Sequence, residues 1–267
     1  VAIPFMAGMH PYEQLAFQFS HHIVFEDGRV EHYNEYLNTE IGVFPNFDFI
    51  RALKDSLSVN DGSIFRYHNH ENTIVNVIYD QLRKSNEPYK QELLDFIETI
   101  SHNTGKNAKV WCGERDMIDL QKTVVNYYYD PITNGSNSIK AILPAVLHSS
   151  KYLQEKYQQQ LASLNLTSKN FEASHVFLKM ENGNPISPYK ALPPIFEGWD
   201  NEQLEQVADS LSEIKDGGAA LFAYGKLQFP EVKQEERKAI RNGLLRYCEL
   251  DTLAMVMIYE YFREVCK

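Results

Sequence analysis

Cysteine is scarce: Cys112, Cys248 and Cys266 are the three in 267 residues, and no CxxC or other zinc-binding spacing relates them. That excludes a cysteine-based zinc module. Scattered thiols in a chain this long fit a reducing compartment, so a cytoplasmic protein is expected. No apolar run approaches membrane-spanning length, and the N-terminus lacks the basic and apolar regions of a signal peptide, so no membrane association is expected. Basic residues are in the minority, with 26 Lys and Arg against 36 Asp and Glu and a formal net charge of −10. This counts against a broad electrostatic grip on nucleic acid, which needs clustered Lys and Arg. A nuclease is not excluded, because metal-binding carboxylates are acidic themselves. Internal repeats and low-complexity tracts are absent.

What is present supports a globular α/β fold. A hydrophobic fraction of 43% with 12% aromatics is enough for a substantial core. Residues 14–24 alternate as a strand, Glu26-Asp27-Gly28 reads as a hairpin turn, and Val30 to Leu37 as the returning strand. Asn46 is placed to cap a helix striped by Phe47, Phe49, Ile50 and Leu53. Ser63 to Tyr67 reads as a short buried strand. Helices are expected from Glu71 through Leu82 and over Gln91 to Ile100, and a further one is opened by Ile118-Asp119-Leu120 and ends at Tyr127-Tyr128-Tyr129-Asp130-Pro131. Ser138 is placed to cap Ile139 to Leu147, which Pro144 is expected to bend or end. Residues 148–200, with Pro185, Pro188, Pro193 and Pro194, read as an irregular insertion in a single domain covering 1–267. Asp216-Gly217-Gly218 separates two further helices, and Glu235 to Val265 gives a long amphipathic closing helix. Strands early and helices late make this an α/β order.

Two acidic constellations carry the candidate chemistry. Tyr247 and Asp251 are four residues apart on the closing helix and therefore share a face. There a carboxylate can hold a divalent cation and a phenol can orient a water. An aspartate beside Tyr247 and Met255 is partly buried, which is costly unless it is paired or metal-bound. Glu71, in Tyr67-His68-Asn69-His70-Glu71, falls near the carboxyl end of a strand, where open α/β sheets place ligands. It reads either as a metal ligand shared with Asp251 or as a charge favoured at a helix N-terminus. Asn69 and His70 are adjacent candidates. Asp119 is a helix cap or a supporting carboxylate. Lys140 can reach a phosphate near a helix start or stay solvated. His68 and His70 allow a zinc-hydrolase alternative, with no pattern among the other histidines to complete it. Tyr127, Tyr128 and Tyr129 are stacking candidates whose expected role is core packing.

The runs Pro11-Tyr12-Glu13-Gln14, Phe17-Gln18-Phe19-Ser20-His21-His22, His70-Glu71-Asn72-Thr73, Gly135-Ser136-Asn137-Ser138-Ile139-Lys140 and Tyr247-Cys248-Glu249-Leu250-Asp251-Thr252 resemble an uncharacterised bacterial domain. That domain is assigned to the DnaQ-like (DEDD) exonuclease branch of the ribonuclease H-like superfamily. The resemblance implies a mixed sheet flanked by helices, with a largely helical insertion. It also implies a two-metal site, loaded with Mg²⁺ or Mn²⁺, that hydrolyses DNA or RNA from a three-prime end. Glu71 and Asp251 match metal ligands, and Tyr247 matches the residue that orients the attacking water. Glu71 departs from the usual aspartate by one methylene. The Asp-x-Glu pair of the first strand is missing from this sequence, so the resemblance implies a sheet lacking its first strand and a fragment that is inactive alone. The expected setting is one module of a longer nucleic-acid-processing protein, with an upstream nuclease or binding domain and single-stranded DNA or RNA ends as partners. The alternative is a catalytically silent ribonuclease H-like module that binds nucleic acid or protein.

Overall fold

The computed structural model describes residues 6, 9–105, 109–192 and 218–267. In chain order its elements are β1 (Gln18–Val24), β2 (Val30–Leu37), α1 (Asn46–Leu57), β3 (Phe65–Arg66), α2 (His70–Lys84), α3 (Lys90–Ile100), β4 (His102–Asn103) and β5 (Trp111–Cys112). There follow β6 (Ile118–Asp119), α4 (Leu120–Tyr127), α5 (Ile139–Ser149), α6 (Lys151–Tyr157), β7 (Leu166–Thr167), β8 (Lys179–Glu181), β9 (Asn184–Ile186), α7 (Gly218–Leu227) and α8 (Gln234–Val265). The fold is mixed α/β, about half helical, with small mixed sheets. These elements form two compact units. One takes the described residues up to Gln18 with Gly42–Pro131, and the other takes Phe19–Ile41 with Ile132–Lys267. Pro193, Pro194 and the turn at Asp216-Gly217 lie outside the described residues.

The first unit is built on α1, α2 and α3 packed against one another. Each contributes an apolar stripe at helical spacing: Phe49, Ile50 and Leu57; Val75, Ile78 and Leu82; Leu93, Leu94, Ile97 and Ile100. Burying each such side chain contributes about 1.5–3 kcal/mol, which outweighs the modest intrinsic helicity of segments this short. The expected Asn46 cap is not made. Pro45 occupies the cap position, and the buried Asn46 side chain instead ties the segment before β1 to α2. Its Oδ1 accepts from the Ala16 N–H at 2.8 Å, while its Nδ2 donates to the Gln14 carbonyl and to Gln81 Oε1. Asn72 does similar work for β4: its amide donates to the His102 carbonyl and its oxygen accepts the His102 N–H, both at 3.1 Å. It thereby mimics the edge of a strand.

The strand expected at Ser63 to Tyr67 forms only as Phe65–Arg66, paired in parallel with β6 in the register Phe65↔Ile118 and Arg66↔Asp119. Its buried member is Arg66, at 2% exposure, while Phe65 is exposed. A guanidinium is the interior group here because Asp119 faces it.

In the second unit β1, β2 and β7 form one sheet in that order, with β2 and β7 parallel. The turn between β1 and β2 is the expected one. Phe25 N–H donates to the Arg29 carbonyl, and Gly28 supplies the positive φ of 86° that a side chain resists. The long helix α8 packs on α5, α6, α7 and β2. Its buried stripe runs through Ile240, Leu244, Tyr247, Leu250, Ala254 and Met257. Pro144 does not end α5, which continues to Ser149. Ile142, Leu143, Ala145, Val146 and Leu147 flank it at 0–1% exposure, and that burial exceeds the roughly 3 kcal/mol an internal proline costs. Ser138 precedes α5 without a side-chain cap bond. The stretch read as irregular contains α6, β7 and the hairpin β8–β9. That hairpin turns at Asn182-Gly183, with φ of 49° and 79°, the left-handed pair a two-residue hairpin loop requires.

Candidate functional site

Helix α8 puts Tyr247 and Asp251 one turn apart, as their spacing requires. Tyr247 is buried, whereas Asp251 keeps partial exposure. A residue that the sequence did not suggest completes the group. Tyr189, on the turn Pro188–Ala191, donates its hydroxyl to Asp251 Oδ1 at 2.7 Å. Its ring lies 6.0 Å from that of Tyr247. Lys140, in the first turn of α5, holds its ammonium 5.8 Å from the Tyr189 centroid and 5.5 Å from that of Tyr247. A cation at that range is attracted by both ring faces. The second unit thus gathers a carboxylate, two phenols and an ammonium from three separate segments. A half-exposed carboxylate is a hard oxygen donor suited to Mg²⁺ or Mn²⁺, and a nearby ammonium suits a phosphate. Burial and the carboxylates of Asp251, Glu35 and Glu249 push the adjacent Cys248 thiol well above the usual range.

The other expected residues belong to the first unit. Glu71 sits exposed in the first turn of α2, five residues beyond the buried Arg66 of β3. His70 is the exposed first residue of that helix. Asn69 precedes it and makes no side-chain cap bond; its carbonyl accepts from the Thr73 hydroxyl at 3.0 Å. Asp119 is a cap, as one of its two readings held. Its Oδ1 accepts from Gln121 N–H at the start of α4, 3.0 Å away. The same oxygen accepts from His68 N–H at 2.9 Å, where His68 takes a φ of 74°. Its Oδ2 faces Arg66 Nη1 at 3.2 Å, and Arg66 also donates to the Met117 and His68 carbonyls. With both oxygens engaged in the fold, this carboxylate is structural.

One other reading is corrected. Tyr127 and Tyr129 do not pack in the core: they are 81% and 86% exposed, projecting at and just beyond the end of α4. Tyr128 is half-buried and its hydroxyl reaches Asp130 at 3.4 Å. His68 and His70 are exposed and join no set of three metal-capable side chains among the described residues.

A family model described as a domain of unknown function (DUF2779) matches residues 1–138, just over half of the chain. The chain belongs to this family. The matched DUF2779 stretch carries Asn69, His70, Glu71 and Asp119 and stops before α5. Lys140, Tyr189, Tyr247 and Asp251 therefore lie beyond it. No curated protein matches the chain, and no solved structure does. Among the described residues no helix is long and apolar enough to cross a membrane.

Proposed function

We propose that this protein is a divalent-metal-dependent nuclease domain of the DnaQ-like, ribonuclease H-like type, acting on the three-prime ends of single-stranded DNA or RNA. The observation that carries the reading is the Tyr189–Asp251 hydrogen bond beneath the Lys140 ammonium, with Tyr247 on the same helix face. The carboxylate of this cluster that would hold Mg²⁺ or Mn²⁺ is Asp251, and Glu71 is the first unit's own candidate ligand; both are hard oxygen donors of the kind such ions prefer. When bound, the ion stabilises charge on the phosphoryl oxygens. Tyr189 fixes the rotamer of Asp251 by holding one of its oxygens. Lys140 offsets phosphate charge beside it. Tyr247, rigid because it is buried, presents its phenol on the face that Asp251 occupies and orients a water there.

The test is calorimetric titration with Mn²⁺, paired with degradation of end-labelled single strands. Expected is Mn²⁺ uptake that weakens at least tenfold in Asp251→Asn and in Glu71→Gln, and less in Tyr189→Phe. Any strand shortening should proceed from the three-prime end and vanish with Asp251→Asn. Uptake indifferent to both acidic substitutions would overturn the reading. The exposed rings of Tyr127 and Tyr129 favour a second reading, a silent module that stacks single-stranded bases. Strand binding that is independent of metal and lost on removing both rings would support it.

A further inference from the structure

A second cluster lies on the other side of the chemistry that α8 carries. His22 on β1, His32 on β2 and Glu249 on α8 each offer one ligand atom, and these atoms lie within 4.8 Å of one another. The two imidazoles stack with centroids 4.8 Å apart and planes 18° from parallel. The His32 and Glu249 side chains have no exposed surface. Two of the cluster's atoms are enclosed yet have no hydrogen-bond partner: His22 Nε2 and Glu249 Oε1. Leaving a buried carboxylate oxygen and a buried ring nitrogen unsatisfied is costly, and an unseen ion is one of the few things that relieves both.

The surroundings prepare these atoms as ligands. Thr252 Oγ1 lies 2.8 Å from His22 Nδ1 and also within reach of the Glu249 carbonyl, at 3.1 Å, to which a helical threonine commonly gives its proton. The hydroxyl oxygen is then left to accept from His22 Nδ1–H, which assigns the lone pair to Nε2. Burial also holds this imidazole neutral, pushing its pKa down to about 3, with His32 adding to the effect. On His32, Ser20 Oγ meets Nε2 at 2.9 Å, while Nδ1 lies 3.3 Å from the Lys169 nitrogen and hydrogen-bonds Glu249 Oε2 at 3.0 Å. The tautomer that carries its proton on Nε2, given to Ser20 Oγ, turns the Nδ1 lone pair to that oxygen, and the two atoms are then spaced nearly as two ligands of one ion are, given metal–ligand distances of about 2.0–2.2 Å. Glu249 itself is anchored by Asn170, whose backbone N–H and Nδ2 both donate to Oε2.

We propose that His22, His32 and Glu249 bind one transition-metal ion of the Zn²⁺ class, which clips the β1–β2 hairpin to α8. Two imidazoles and a carboxylate form a mixed nitrogen–oxygen set that suits Zn²⁺ and its first-row neighbours better than Mg²⁺. The site does not rest on the nuclease reading, and it shares no ligand with Asp251.

The experiment strips the protein with a chelator and titrates it with Zn²⁺ in competition with a chromogenic indicator. Co²⁺ is then substituted and its visible d–d spectrum recorded. Expected are one equivalent of Zn²⁺ bound and a melting temperature raised by the ion. Affinity should fall at least a hundredfold in His22→Gln and Glu249→Gln and stay unchanged in Asp251→Asn. An intense Co²⁺ band of low-coordinate type is expected for the parent. Should the folded parent take up no more Zn²⁺ than the two glutamine variants, the cluster is a hydrogen-bonded pair and the proposal fails. If those variants do not fold, the parent's Co²⁺ spectrum decides alone: a purely six-coordinate aquo spectrum overturns the site. Loss of Zn²⁺ in Asp251→Asn would move the ion to the other cluster and overturn it as well.

Discussion

Replacing Asp119 with asparagine keeps the size of the side chain and removes its charge. Its oxygens meet Arg66 Nη1 at 3.2 Å, His68 N–H at 2.9 Å and Gln121 N–H at 3.0 Å. The Arg66 and Asp119 side chains are 1% and 5% exposed, so the pair is desolvated and water cannot replace a missing partner. Removing one member of such a pair leaves a buried uncompensated charge, at a cost of about 3–5 kcal/mol. At roughly 2 °C per kcal/mol for a cooperative unit of this size, the melting temperature should drop by roughly 6–10 °C. Urea and thermal denaturation followed by circular dichroism measure this directly. Arg66→Met should cost a comparable amount, and the double variant should recover at least about 1 kcal/mol of the summed loss, because neither charge then remains unpaired. A single-variant loss below about 1 kcal/mol, the value of an exposed ion pair, or strictly additive costs would refute the reasoning.

Asn72→Ala removes both bonds to the His102 backbone. It should cost about 1–2 kcal/mol, because the His102 N–H loses its partner while its carbonyl keeps the Asn76 amide at 3.0 Å; chemical denaturation measures it, and amide exchange at His102 should accelerate. Tyr157, buried and donating to Glu260 Oε2 at 3.0 Å, has its pKa raised well above the usual 10 by burial and by Glu260. The unfolded chain therefore loses this proton first, so stability falls as pH rises above 10. Tyr157→Phe should flatten that alkaline decline in melts taken across it, and an unchanged slope would count against the assignment. Gly183→Ala meets no atom within 4 Å but keeps a φ of 79°, so it should cost about 1–2 kcal/mol from backbone strain alone. A melting temperature equal to the parent's would contradict this.

Much of the helical frame was legible because its signal is local. The stripes of α1, α2 and α3 and the length of α8 follow from apolar spacing within one segment, and the Asp27-Gly28 turn follows from two residues. Where the reading failed, a distant partner had reassigned a residue. Asn46 has the chemistry of a cap, but Ala16, Gln14 and Gln81 compete for its amide and win. Pro144 breaks an isolated helix, yet the burial around it keeps α5 going. Asn182-Gly183 forms a hairpin turn inside the stretch that its prolines made read as irregular. On the candidate site, the pairing of Tyr247 with Asp251 came from helix periodicity. Tyr189 lies 62 residues from Asp251, and no spacing rule spans such a gap. The His22, His32 and Glu249 cluster is out of reach for the same reason, since it exists only once α8 lies against β2.

The position of the acidic residues within α8 has a consequence for exchange. Tyr247 comes thirteen residues after Gln234, and Val265 comes thirteen after Thr252. Helices fray from their ends, and the middle opens last. The amides from Tyr247 to Thr252 should therefore trade their protons with deuterated solvent most slowly along this rod, keeping its reactive side chains aligned while both tips breathe.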